Sequence, residues 1–242
     1  MDTGIYIALS KQIGIFRDME VTAGNIANVD TTGYQSERLL FSDYLVPSTK
    51  QESKVAFSND IATFRQTEQG TFKTTNAPLD AAIEGSGYFT VQTPLGVRYT
   101  RNGNFRINQN GELVTKEGYT ALDDTNQSVV FDELDKVIQI RDDGTVNVDG
   151  NDRALLKIAQ FDNEQLMHRV GDTLYSTDAK PKPNPENFRV VGGVLERSNV
   201  SAFTALTHLL YVTRSATDSA NLISTMYTLQ RKASDTYAKI YS

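Results

Sequence analysis

Residues 198–242 read SNVSAFTALTHLLYVTRSATDSANLISTMYTLQRKASDTYAKIYS, and this stretch decides the fold. The last glycine of the chain is Gly193 and the last proline is Pro185, so the stretch contains no helix breaker. Its apolar residues recur at gaps of three and four, the spacing of one helix face. The stretch predicts one long C-terminal helix of about 60 Å, longer than a small domain can cover.

Residues 1–30 predict a second amphipathic helix, weakened by interior glycines at Gly4, Gly14 and Gly24 that each cost about 1 kcal/mol relative to alanine. Complementary apolar stripes on the two terminal helices predict that they pair as a coiled coil. The predicted interface residues, which also serve assembly, are Ile5, Leu9, Ile13, Phe16, Met19 and Ile26 on the first helix and Phe203, Leu206, Leu210, Ile223, Tyr227 and Tyr237 on the second.

The middle of the chain changes to the period of strands. Residues 88–92 and 97–100 flank a Thr-Pro-Leu-Gly turn, and residues 105–108 and 112–115 flank an Asn-Gly turn, so both pairs predict β-hairpins. We therefore expect an α+β fold: an N-terminal helix over 1–30, an extended connector over 31–75, a central all-β domain over 76–197 and a C-terminal helix over 198–242.

Composition excludes several classes of function. The chain has no cysteine, which removes disulfides, thiol nucleophiles and thiolate metal sites. Its net charge of −6, without a dense Lys/Arg cluster, argues against nucleic acid as a partner. Charged residues interrupt the N-terminal apolar residues, so we expect export without a cleaved signal peptide.

Candidate catalytic features have simpler structural interpretations. The two histidines, His168 and His208, adjoin no nucleophile motif, and Ser86 lies in Gly-Ser-Gly without the Gly-x-Ser-x-Gly spacing. Acidic clusters near Asp123, Asp142 and Asp149 lack the ligand ladder of a calcium loop and are typical of hairpin turns. We predict no catalytic residue, no cofactor, no metal site and no small-molecule substrate.

The predicted C-terminal helix is unusually poor in charge. Residues 198–242 contain six Lys, Arg, Asp or Glu residues and fourteen Ser or Thr residues. A solvated helix normally displays charge on its outer face, so this small, hydroxyl-rich surface is suited to contact with neighbouring helices.

Four stretches resemble the flagellar basal-body rod and hook family: GNIANVDTTGY at 24–34, NAPLDAAIEGSGYF at 76–89, YTRNGNF at 99–105 and LERSNV at 195–200. They occur in the family's order and include both ends and the middle of the chain. The motif residues are Asn25, Ala27, Asn28, Thr31, Gly33, Tyr34, Pro78, Leu79, Asp80, Gly85, Gly87, Tyr99, Thr100, Arg101, Gly103, Leu195, Glu196, Ser198, Asn199 and Val200.

The resemblance implies a structural subunit of the rod, most similar to the proximal rod type, with a distal rod or hook subunit as the alternative. It further implies export through the flagellar type III apparatus, a periplasmic location in the basal body, and assembly with itself and other rod proteins into a torque-transmitting tube. Gly24 and Arg197 depart from the usual motif residues, which bears on the subtype.

Two functions from other classes remain open at the level of sequence. A periplasmic or extracellular carbohydrate-binding or carbohydrate-hydrolysing β-domain with a helical stalk fits the layout, although the lack of tryptophan removes a common sugar-stacking residue. An export chaperone is the other alternative, and the β-rich middle argues against it.

Overall fold

The computed structural model describes residues 2–47, 54–132, 135, 137–171, 173–182 and 185–240; side chains at 2–5, 41–47, 54–61 and 238–240 lie outside this description. The fold is α+β, as predicted, with a helix at each end and a large β domain between them. The chain divides into two compact units. The helical unit comprises Met1–Ala27, Glu37–Arg65 and Ser201–Ser242, and the β unit comprises Asn28–Ser36 and Gln66–Val200.

The helical unit contains the two terminal helices, α1 (Asp2–Ala27) and α2 (Ala202–Ile240). Beyond the end of α1, a turn closes where the Thr31 N–H donates to the Asn28 carbonyl at 3.2 Å. At the start of α2, the Ser201 hydroxyl accepts from the Thr204 N–H at 3.4 Å, so Ser201 caps the helix. Within the described residues, neither helix is apolar over the length that a membrane crossing requires.

The predicted extended connector over 31–75 is wrong for most of its length. It contains an antiparallel hairpin of β1 (Glu37–Pro47) and β2 (Lys54–Arg65), with a register shift at Leu40/Phe41, and this hairpin packs against α1. Charged residues fall among the β-branched and aromatic ones in both stretches, so they lack the strict alternation that predicts a strand.

The β unit is built from short antiparallel strands. They are β3 (Phe72–Thr74), β4 (Ala81–Gly85), β5 (Tyr88–Thr93), β6 (Gly96–Thr100), β7 (Phe105–Ile107), β8 (Leu113–Thr115), β9 (Thr120–Ala121), β10 (Ile138–Ile140), β11 (Thr145–Val148), β12 (Asn151–Leu155), β13 (Ile158–Ala159), β14 (His168–Arg169), β15 (Leu174–Ser176), β16 (Phe188–Gly192) and β17 (Val194–Glu196). A 3-10 turn, Glu164–Leu166, precedes β14.

The described strands form one main sheet in the order β14-β15-β6-β5-β9-β8-β7, with β13 also paired to β5. Both predicted hairpins, β5–β6 and β7–β8, are confirmed. Smaller sheets pair β10, β11 and β12, and pair β16 with β4 and β17 with β3. The last two pairs bring the end of the β unit back to its beginning.

Two buried clusters form the core of the β unit. The larger one contains Ile83, Phe89, Phe105, Leu113 and Val146 among others, and the smaller one surrounds Tyr88 and Tyr175. Phe89 and Phe105 meet edge to face with centroids 5.2 Å apart. Among the described residues, both clusters belong to the β unit.

Candidate assembly surface

The two terminal helices pack against each other. His208 Nε2 lies 3.1 Å from both carboxylate oxygens of Asp18. Asp18 lies nine residues before the end of α1 and His208 six residues after the start of α2. His208, predicted to be structural, therefore contributes a polar contact between the helices.

The buried positions of α2 carry small or medium-sized residues, and half-buried larger residues lie between them. Apart from half-buried Ser215, the least exposed positions follow gaps of four and three residues, the heptad spacing of helix pairing. They are Ala205, Leu209, Val212, Ala216, Ser219, Ile223, Met226, Gln230 and Ala233. On α1, Ala8 and Thr22 are buried and Ile15 between them is half-buried, again at intervals of seven. Small residues allow the two backbones to approach closely.

Most residues of the predicted interface do not pack between α1 and α2 of one chain, and their predicted role in assembly stays a prediction. Leu9, Ile13, Phe16, Phe203, Leu206, Leu210, Tyr227 and Tyr237 are exposed rather than buried between α1 and α2. Met19, Ile26 and Ile223 are half-buried, and the side chain of Ile5 lies outside the described part of the chain. Spacings of three and four fit several faces of one helix, and the prediction followed the largest apolar residues, whereas the buried positions of the pair are occupied by smaller ones.

Both helices consequently display large apolar residues on their outer faces. We call Tyr6, Leu9, Ile13 and Phe16 the α1 outer stripe, and Phe203, Leu206 and Leu210 the α2 outer stripe. Phe203 is 82% exposed and Leu210 is 64% exposed. Contiguous exposed apolar surface of this kind marks interaction sites, because monomeric proteins rarely leave it in water.

The hydroxyl groups of α2 are already hydrogen-bonded within the helix. Six exposed threonines donate to the carbonyl four residues earlier, at 2.7–3.1 Å; they are Thr207, Thr213, Thr217, Thr225, Thr228 and Thr236. A donor that is satisfied internally loses no hydrogen bond when a neighbour displaces water. The hydroxyl-rich surface of α2 is therefore cheaper to desolvate than its composition implies.

A second site, the motif junction, brings together motif residues that are far apart in the sequence. At its centre Arg101 Nη1 lies 3.5 Å from Glu196 Oε2, and each side chain is only 3% exposed. Arg101 also donates to the carbonyls of Ile83 and Gly85, at 3.2 and 2.7 Å. Tyr88 places its ring 5.3 Å below the guanidinium. A buried cation thus has one counter-charge and two carbonyl acceptors.

Glu196 connects two further segments to this pair. Its Oε1 accepts from the Gly70 N–H at 3.1 Å, and its backbone carbonyl accepts from the Gly33 N–H at 2.8 Å. Burial raises the pKa of the Glu196 carboxyl, although the Arg101 charge and the hydrogen bonds from Gly70 and Gln69 act in the opposite direction. Burial therefore destabilises the charged carboxylate by more than Arg101, Gly70 and Gln69 stabilise it.

Two motif glycines are required by close backbone contact. Gly33 has φ +69°, and a Cβ there would lie 2.5 Å from the backbone of Arg101 and Asn102. A Cβ at Gly103 would lie 1.7 Å from the Ala81 carbonyl oxygen. A side chain cannot be accommodated at either position without displacing the main chain.

Two motif asparagines bind backbone groups of neighbouring segments. Asn199 Oδ1 accepts from the Ser36 N–H at 2.7 Å, and its Nδ2 donates to the carbonyls of Gln66 and Glu68. Within the helical unit, Asn25 makes a reciprocal pair with the backbone of Glu37, at 2.7 and 3.0 Å. Each side-chain amide thus provides hydrogen bonds to backbone N–H and carbonyl groups next to the end of a strand.

The other motif residues have varied positions. Asp80 accepts a hydrogen bond from Asn104, Leu79 packs on the core, and Tyr99 meets Phe161 edge to face. Pro78 and Ala27 are exposed and take no part in the junction. Three motif hydroxyls make local hydrogen bonds: Thr31 donates to the Asn28 side chain, and Thr100 and Ser198 accept from the N–H groups of Asn102 and Val200. Gly85 and Gly87 have positive φ angles in a turn, and Leu195 is half-buried.

Some residues of the junction had no signal in the sequence. Arg169 lies over the Tyr34 ring at 4.3 Å and donates to the Gln35 carbonyl, and Tyr88 Oη donates to Glu164 Oε2 at 2.6 Å. Gly70 and Gln69 fell inside the predicted connector. Only the three-dimensional pairing of distant segments reveals these roles.

The acidic clusters form turns, as predicted. Asp123 Oδ1 accepts from the N–H groups of Thr125 and Gln127. Asp143 caps its turn by accepting from the Thr145 N–H, which lowers the pKa of the Asp143 carboxyl. Among the residues that the structure describes, no group of three or more His, Asp or Glu side chains is placed to hold a metal ion.

Comparison with known proteins connects these features to a family. Residues 82–148 match the profile of the "Flagellar hook protein FlgE/F/G D1 domain", and residues 16–35 match "Flagella basal body rod protein". The chain is 31% identical over 99% of its length to the whole of the flagellar basal-body rod protein FlgF of Caulobacter vibrioides. It belongs to the flagellar basal-body rod protein family.

Other members of the rod protein family show similar agreement. FlgF of Rhizobium meliloti is 32% identical over 88% of this chain and 89% of its own length. The flagellar basal-body rod protein FlgG of Caulobacter vibrioides is 30% identical over 86% of this chain and 89% of its own length. Membership makes the chain a structural rod protein of the bacterial flagellum, and the resemblance of the four sequence motifs is confirmed.

We expect replacement of Arg101 by methionine to destabilise the chain by about 3–5 kcal/mol, because Glu196 then remains buried without its counter-charge. Urea unfolding of the purified chain measures the loss. The matched control is Arg153→Met, which breaks an exposed ion pair with Asp132 and should cost at most about 1 kcal/mol. Equal losses for the two variants would contradict the structural role of the buried pair.

The raised pKa of Glu196 predicts a defined pH dependence. The folded state keeps the Glu196 proton at pH values where the unfolded chain, with a pKa near 4.5, has released it. Stability from this group therefore increases as pH falls through the folded pKa and levels off below about pH 4.5. In urea unfolding at several pH values, the free energy of unfolding of the wild type should rise relative to that of Glu196→Gln as pH falls from 8. A constant difference between the two would exclude the effect.

Proposed function

We propose that the chain is a proximal rod subunit that assembles through its terminal helices into the torque-transmitting tube of the rod. Support for the subtype comes from the FlgF relatives, which include a match along the entire chain, whereas the FlgG relatives match over 86–91% of it. A distal rod or hook subunit is the alternative within the family.

In this proposal α1 and α2 form an antiparallel coiled coil. The heptad series from Ala205 to Ala233 supports it, together with the spacing of seven between Ala8, Ile15 and Thr22 on α1. The Asp18–His208 contact adds a polar contact that specifies which residues of the two helices meet. This pairing leaves the large apolar residues free to contact other copies and other rod proteins.

The observation that carries the proposal is the inverted placement of side chains on the helices. The buried side chains of α1 and α2, such as Ala8, Ala216 and Ser219, are small, while several phenylalanine, leucine and tyrosine residues face outward. Larger residues on the inner face of α2, such as Leu209 and Ile223, are half-buried. A self-contained stalk would bury its large apolar residues and expose charges, since about 25 cal/mol is gained per Å² of apolar surface removed from water. A carbohydrate-binding domain with a helical stalk does not account for that arrangement.

The remaining parts of the proposal concern location and export. As a rod subunit, the chain reaches the periplasmic basal body through the flagellar type III export apparatus, without cleavage of a signal peptide, and neither nucleic acid nor a small-molecule substrate has a role. Torque passes between subunits through helix packing.

A charge on the α2 outer stripe should block assembly without unfolding the chain. Leu210→Asp places a carboxylate where a neighbouring helix would exclude water, which costs several kcal/mol in the assembled state. Because Leu210 is exposed in the monomer, the melting temperature should change little. We expect a strain with only this variant to be non-motile and to lack rods beyond the point of its insertion.

The matched control is Leu166→Asp, which makes the same substitution at a similarly exposed leucine in the 3-10 turn. Soft-agar motility and electron microscopy of isolated basal bodies should be normal for this strain. Motility of the Leu210→Asp strain, with the variant present in its basal bodies, would refute assembly through this face.

A further inference from the structure

The two outer stripes lie at opposite edges of the helix pair. At about 100° per residue, the α1 outer stripe is centred roughly 140° from the line through Ala8, Ile15 and Thr22. The α2 outer stripe is separated by a similar angle from the small-residue face through Val212 and Ala216. Each stripe therefore points away from the partner helix of its own chain.

The two stripes also lie at different heights along the pair. Because Asp18 is beside His208 and the proposed coiled coil is antiparallel, Ile13 is level with Thr213. The α1 outer stripe is centred near residue 11, level with residue 215, whereas the α2 outer stripe is centred near residue 206. At a rise of 1.5 Å per residue, the difference in height is about 13 Å.

We propose that the α1 outer stripe of one copy binds the α2 outer stripe of the next copy, with the second copy shifted by about 13 Å along the helix axis. The contact is heterologous, since it joins two different surfaces of the same chain. It rests on the proposed function, and it specifies which surfaces meet. A shifted heterologous contact does not close into a flat ring and generates a helical array.

A second copy of this chain fits the stripes for three reasons. Each copy carries both stripes, so a repeating contact covers one of each on every copy except at the ends. Residues 203–210 contain no Lys, Arg, Asp or Glu, and residues 6–16 contain only Lys11, so the contact buries almost no charge. Thr207 beside the α2 outer stripe is already bonded to the Phe203 carbonyl.

A symmetric contact covers less of this surface. Pairing the α1 outer stripe with its own equivalent leaves the α2 outer stripe in water, and the reverse pairing leaves the α1 outer stripe in water. Only the heterologous contact removes both from solvent with a single type of interface.

Disulfide cross-linking in assembled rods tests the contact. Because the chain has no native cysteine, only the introduced cysteines can form a disulfide between its copies. A strain lacking the native gene co-expresses Ile13→Cys and Leu206→Cys as separate chains. Within one chain these positions differ in height by about 10 Å, beyond the ~7 Å Cα separation that a disulfide can bridge.

Basal bodies are isolated, oxidised mildly and resolved on non-reducing gels. Controls are each variant alone and Leu206→Cys with Gln109→Cys, in an exposed turn of the β unit.

We expect disulfide dimers in the mixed strain at about tenfold the level of any control, because only that pair would lie within bridging distance. Dimers of equal yield in a single-variant strain would show a symmetric contact and overturn the inference while leaving rod assembly intact. Basal bodies that contain both variants without dimers would overturn it also. Absence of the reduced variants from the basal bodies of a strain that expresses them would overturn the proposed function together with the inference.

Discussion

The buried pair of Arg101 and Glu196 is the constraint on which the rest of the β unit depends. Both side chains are almost completely shielded from water, so each needs the other and its hydrogen bonds to offset desolvation. Their side-chain bonds reach residue 70 and residues 83 and 85 of β4, and the Glu196 backbone carbonyl accepts from the Gly33 N–H, so three separate segments of the chain are connected to the pair. A single electrostatic centre therefore joins the N-terminal motif, the first strands of the β unit and the segment that leads into α2.

The helical unit follows a different principle, because in the proposed assembly its stability and its contacts with other copies use different faces of the same helices. Close approach of α1 and α2 relies on residues such as Ala8, Ala216 and Ser219. Larger residues such as Phe16, Phe203 and Leu210 remain in water. Threonines that bond their own helix reduce the cost of covering this surface further. In the proposed assembly, the isolated chain thus holds its helices together while these exposed apolar residues remain available to other copies.

The sequence predicted the α+β class, both terminal helices and the β5–β6 and β7–β8 hairpins, because these depend on local signals: absence of breakers, periodicity and turn residues. The hairpin of β1 and β2 was not predicted, since its strands lack regular alternation. The choice of helix face was also wrong, because Leu9 and Ala8, or Leu210 and Val212, satisfy the same spacing rule and only the separation of the two backbones distinguishes them. The motif residues could be identified by resemblance, but the ion pair of Arg101 with Glu196 joins positions 95 residues apart and leaves no local pattern.

The central claim is that the outward-facing residues of α1 and α2 form the contacts between subunits. A cryo-electron microscopy map of the basal-body rod, at a resolution that shows side chains, tests this claim most directly. The account predicts that Ile13, Phe16, Leu206 and Leu210 are buried between adjacent subunits, while Ala8, Val212 and Ala216 remain packed within one chain. A map in which the large residues face solvent, or in which the helices of one chain separate to pair through them, would contradict it.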